Sequence, residues 1–63
     1  MIHHLDYIVR CGDERISIRI EHKDARRDAH KASLGLACMG QPVVIERSGR
    51  VIERWQNGER MRL

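Results

Sequence analysis

Apolar residues recur along this chain with two different periods, and the change of period divides it into elements. Leu5-Asp6-Tyr7-Ile8-Val9-Arg10 reads as a strand, with Leu5, Tyr7 and Val9 on one side. Arg15-Ile16-Ser17-Ile18-Arg19-Ile20-Glu21 alternates strictly, so Ile16, Ile18 and Ile20 are expected to point inward and Ser17, Arg19 and Glu21 outward. A period of two marks a strand with one buried face. Cys11-Gly12-Asp13-Glu14 supplies the turn between them, where Gly12 can take positive φ, and the pair reads as a hairpin.

After Glu21 the period lengthens. Ala25, Ala29, Ala32, Leu36 and Met39 follow one another at spacings of 4, 3, 4 and 3, the stripe of an amphipathic helix. Asp24 is the expected N-cap, and its carboxylate suits the positive end of the helix dipole. Gly40 is the expected stop, with Pro42 behind it.

Strand spacing then returns. Val43-Val44-Ile45-Glu46 reads as a third strand, Ser48-Gly49 as a turn, and Arg50-Val51-Ile52-Glu53-Arg54-Trp55 as a fourth. Asn57-Gly58 is a strong hairpin signal, so Arg60-Met61-Arg62-Leu63 is expected to fold back as a short fifth. Regular pairing through both turns places Val43, Ile45, Ile52, Met61 and Leu63 under the helix, and Val44, Val51 and Trp55 on the opposite face. The fold class is therefore α+β: an antiparallel sheet of four strands, five with the last, carrying one helix on one face in the order ββαββ(β).

The 63 residues are read as a single domain, 1–63, of which 41% are hydrophobic and 33% charged, a globular composition. At that length only about 60% of the unfolded surface is buried, so a domain of this size gains from a partner or another cross-link. Two cysteines are too few for a disulfide framework, no apolar run reaches the ~18 residues of a membrane span, and no leader peptide is evident. The expected location is cytoplasmic, with both thiols reduced and no membrane contact. The net charge of +3 is spread evenly: zero over residues 1–23, +1 over 24–40 and +2 over 41–63, with ten of twelve cations arginine. Strong nucleic-acid binders concentrate charge on one face.

Candidate chemistry is sparse. His3 and His4 are adjacent, and His22, His30, Cys11 and Cys38 are scattered without CxxC or HxxxH spacing, so neither a structural metal nor a cofactor is expected. His3 as third residue could hold Cu(II) or Ni(II) with the terminal amine, but reads more simply as a chain end. Cys38 near the helix C-terminus lacks the positive field that activates a thiol, and Asp13 and Glu14 lie in a turn rather than a cleft. No catalytic residue is assigned, and the chain is not expected to be an enzyme.

Surfaces carry the functional expectation instead. A lone helix covers one face of a sheet, which leaves Ile8, Val44, Val51 and Trp55 as the candidate partner interface, with self-association foremost and an unknown protein partner next. His30, Leu34 and Cys38 form a second candidate contact patch on the outer helix face. Arg19, Arg47, Arg50, Arg60 and Arg62 are candidate phosphate contacts for the alternative, a nucleic-acid-binding accessory or regulatory role, although Glu46, Glu53 and Glu59 are interleaved with them.

Ala37-Cys38-Met39-Gly40-Gln41-Pro42-Val43-Val44-Ile45 and Gly49-Arg50-Val51-Ile52-Glu53-Arg54 resemble segments of short bacterial and phage ββαββ proteins of unknown function. The resemblance spans about two thirds of the chain. It implies the same layout and a bacterial or phage origin, and it carries no activity.

Overall fold

In the computed structural model, residues 5–35, 38 and 40–62 are described. The elements are β1 (Tyr7–Cys11), β2 (Glu14–Arg19), α1 (His22–Leu34), β3 (Val43–Arg47), β4 (Arg50–Gln56) and β5 (Glu59–Met61). The strands form one antiparallel sheet in the order β2-β1-β3-β4-β5, with α1 packed on one face. This is the α+β layout the periodicity predicts, and the fifth strand is present.

The β4–β5 turn follows from its two residues. Asn57 and Gly58 both have positive φ, +54° and +82°, the requirement of the two-residue turn whose twist matches that of its strands. A Cβ on Gly58 would stand 2.7 Å from Leu34 Cδ2, so the turn lies directly beneath the end of α1.

The helix differs from expectation at both ends. It begins at His22 after Glu21, whose backbone is extended, so Asp24 sits in the first turn and pairs with Arg27 at 3.5 Å instead of capping. It ends at Leu34, where the Gly35 amide donates to Lys31 and Ala32 carbonyls, because glycine adds no side chain to hold another turn in place. Leu36 and Met39, expected on the core stripe, lie outside the described residues, as do Leu63, His3 and His4.

Two β-bulges redirect the side chains. Ile45 pairs with Glu53 but Glu46 with Val51, which leaves Ile52 as the extra residue of β4. Val9 pairs with Ser17 but Arg10 with Arg15, which leaves Ile16 as the extra residue of β2. Each inserted residue reverses the alternation beyond it. Glu53 and Trp55 therefore face α1 beside Val43 and Ile45, whereas Met61, paired with Arg54, turns to the helix-free side. Ser17 and Arg19 also face α1, where Ser17 Oγ donates to Asp28 at 2.7 Å and Arg19 Nε to the same carboxylate at 2.5 Å. Ile18 pairs with Ile8 on the helix-free face, Ile20 is exposed beyond the strand, and Ile16 lies in a shallow groove with Asp28 and Ala32.

Among the described residues the core is small. Val9, Val43 and Ile45 are its large fully buried side chains, joined by Ala25 and Ala29 of α1 and by Cys11 and Cys38.

Candidate functional site on the helix-free sheet face

The helix-free face is built in two cross-strand rows. The first runs Ile18, Ile8, Glu46, Val51 across β2, β1, β3 and β4. The second runs Arg15, Arg10, Val44, Arg54, Met61 across all five strands. Ile18, Val51 and Met61 are 36, 37 and 42% exposed, while Ile8 and Val44 are half-buried between neighbours. Arg10 Nε lies 3.1 Å from Glu46 Oε1, off the hydrogen-bond direction. Arg15 and Arg54 have no carboxylate within 4 Å among the described residues.

Of the expected interface residues, Ile8, Val44 and Val51 lie on this face. Trp55 does not: the Ile52 bulge turns it toward α1, where its ring meets His30 edge-on at 5.9 Å and its Nε1 donates to Glu53 at 3.1 Å. Ile18 and Met61 take its place, and β2 turns out to present its paired isoleucine away from the helix.

Of the second expected patch, His30 and Leu34 are exposed one turn apart on α1, whereas Cys38 is not on that surface. Cys38 is buried in the core, His30 packs against Trp55, and Leu34 lies over Gly58 although still 60% exposed. Burial above all, with Cys11 close by, pushes the Cys38 thiol up to about 11, which leaves it protonated and unreactive at neutral pH.

The helix-bearing side holds a buried carboxylate that the sequence did not single out. Glu53 is 6% exposed and accepts from Arg26 Nε at 2.7 Å, with Arg26 Nη2 at 2.6 Å. His22 Nε2 stands 2.9 Å from it without hydrogen-bond alignment, and Arg60 Nη1 at 3.8 Å. Burial works to raise its pKa, but hydrogen bonds from Arg26 and Trp55 outweigh it and hold Glu53 below the ordinary glutamate value. His22 stacks on Tyr7 at 4.8 Å, and Arg47 covers the same ring at 4.7 Å. The Arg26 and His22 contacts fasten α1 to the sheet.

The candidate phosphate contacts do not form one surface. Arg19 is held by Asp28 near one sheet edge, and Arg60 lies on β5 at the other. Arg47 covers Tyr7 and donates to the Leu5 carbonyl at 3.0 Å, while Arg50 and Arg62 are exposed. Among the described residues no three His, Cys, Asp or Glu side chains are grouped to hold a metal ion, and no helix is long and apolar enough to cross a membrane. Comparison with protein-family models, curated proteins and solved structures found no match to this chain.

Proposed function

We propose that this protein is a small non-enzymatic binding module that acts by protein–protein contact, as a homodimer joined through the helix-free face of its sheet. The observation that carries this reading is the orientation of β2. The most strictly alternating strand of the chain places Ile18, against Ile8, on the side that no described element covers.

The size of the core supports it. Among the described residues three large side chains are fully buried, while Ile8, Ile18, Val44, Val51 and Met61 stand together on one face. Five strands at ~4.8 Å spacing and about six residues at ~3.3 Å give a footprint of about 24 by 20 Å. That is the scale of a standard interface, about 800 Å² per partner once surface relief is included. Joining edge to edge is disfavoured: β2 is bulged and bears Arg15 and Arg19, and β5 is three residues long. The nucleic-acid alternative has less behind it, since two of its five arginines, Arg19 and Arg47, already hold Asp28 and cover Tyr7.

The test is sedimentation across a concentration series, comparing the wild type with an Ile18→Ser/Val51→Ser double variant. Each copy loses two apolar side chains that are a little over one third exposed, or four across a symmetric dimer. Covering about half of that area contributes about 2–4 kcal/mol, so the dissociation constant should rise roughly 30- to 1000-fold. Trp55→Phe should leave it unchanged. A wild-type protein that stays monomeric at millimolar concentration contradicts the proposal.

A further inference from the structure

Around Val44, in the middle of the second row of the helix-free face, lies a cleft of about 250 Å³ lined by Arg10, Gly12, Gln41, Pro42, Val44 and Arg54. Its position follows from the register. Arg10 and Arg54 are each the cross-strand partner of Val44, one from β1 and one from β4. They therefore stand two strand spacings apart, about 9.6 Å at the backbone, over a short apolar residue that leaves room between them. Gly12 opens the floor at the β1–β2 turn: its φ is +60°, and a Cβ there would meet Gln41 Oε1 at 3.0 Å.

The electrostatics of the row are unbalanced. Arg15 is directly across from Arg10, a like-charge pairing that destabilises a sheet. Glu46 is the acid of the adjoining row and stands against Arg10 alone. Of the groups that line the cleft, Arg10 and Arg54 are cationic, and Glu46 of the adjoining row offsets one of them, which leaves an excess of about one positive charge. Arg10 Nε is buried and has no aligned acceptor.

We infer that this cleft binds a phosphate group, as free phosphate or a small phosphate monoester, between the guanidinium groups of Arg10 and Arg54. The number of acceptor oxygens favours phosphate over a carboxylate. A guanidinium fork takes two oxygens, so two forks approaching from opposite sides need more than the two that a carboxylate offers. The inference does not rest on self-association, because the cleft is complete within one chain.

The test is a titration of the ¹⁵N-labelled protein with inorganic phosphate, glycerol phosphate and acetate at fixed ionic strength. The expected result is saturable shifts of the Gly12, Gln41 and Val44 amides and of the Arg10 and Arg54 Nε–H groups, with acetate at least tenfold weaker. Tighter binding of glycerol phosphate than of phosphate assigns an ester as the ligand source, and the reverse assigns the free anion. Arg54→Gln and Arg10→Gln should each weaken binding about tenfold, while Arg50→Gln, which removes the same charge elsewhere, should not. A dimer joined through this face covers Val44 and with it the cleft, so phosphate and self-association compete, and Ile18→Ser/Val51→Ser, which weakens only the dimer, should bind phosphate at least as tightly as the wild type. No saturation, an equal response to acetate, or equal losses from Arg50→Gln and Arg54→Gln would overturn the inference.

Discussion

Replacing Glu53 by glutamine keeps the side chain's shape and removes the charge on which the helix–sheet junction converges. Glu53 is almost fully buried, with two Arg26 nitrogens at 2.6 and 2.7 Å and the Trp55 indole nitrogen at 3.1 Å. A hydrogen bond to a charged group contributes about 1.5–3 kcal/mol and a neutral one about 0.5–1.5. The glutamine can retain the Trp55 bond, and burial of the charge is relieved, so the net cost at pH 7 should be about 1–2 kcal/mol. In a chain of this length that lowers Tm by about 4–16 °C. Because the folded-state pKa of Glu53 is depressed, its contribution is present above the unfolded value of ~4.3 and lost as pH falls through the folded one. Urea unfolding followed by far-UV circular dichroism between pH 7 and 2 would show both effects. The variant should be weaker at pH 7 and converge on the wild type in acid. Equal stability at pH 7 together with an unchanged acid limb would refute the role assigned to Glu53.

Other outcomes follow from the same geometry. Asp28, held down by the Arg19 hydrogen bond foremost, makes a second contribution of the same sign, so Asp28→Asn should flatten the remaining acid limb in the same titration. Ser33 Oγ donates to the His30 carbonyl at 2.9 Å and accepts from the Gly58 amide at 2.9 Å. Ser33→Ala leaves that amide unpaired and should cost about 1–2 kcal/mol in chemical denaturation. Gly58→Ala places a side chain at φ +82° against Leu34 and should cost about 1–3 kcal/mol, whereas Asn57→Gly should be tolerated. Cys38 should resist thiol reagents in the folded protein at pH 7 and react promptly once it is unfolded; fast labelling in the native state would contradict its burial and raised pKa.

Much of the fold was legible because local signals agreed. The period change near Glu21, the Asn57–Gly58 turn and the apolar run Val43–Ile45 each specify their element without help from the others. The helix ran shorter than its apolar stripe because Gly35 interrupts it, a residue visible in sequence but outweighed there by Leu36 and Met39. The two bulges were not legible. Nothing in Ile16 or Ile52 marks it as an extra residue, yet each insertion decides which face the rest of its strand presents. That is why Trp55 and Met61 exchanged faces, and why Arg10 and Arg54 had not been singled out as neighbours of one cleft. Glu53 escaped notice for a related reason: in sequence it is one of the glutamates interleaved with arginine, and only the reversed register buries it. The helix-free face was anticipated from topology alone, since one helix covers one side of a sheet, but its membership depended on register.

The central claim is that the uncovered row of Ile8, Ile18 and Val51 meets its own copy. Isotope-filtered NOE spectroscopy on an equimolar mixture of ¹³C-labelled and unlabelled protein reads that contact directly. The account predicts intermolecular cross-peaks from the methyl groups of Ile8, Ile18, Val44, Val51 and Met61, and none from Trp55 or Val9. Cross-peaks confined to the outer surface of α1, or none at a concentration where sedimentation shows a dimer, would place the interface elsewhere and contradict it.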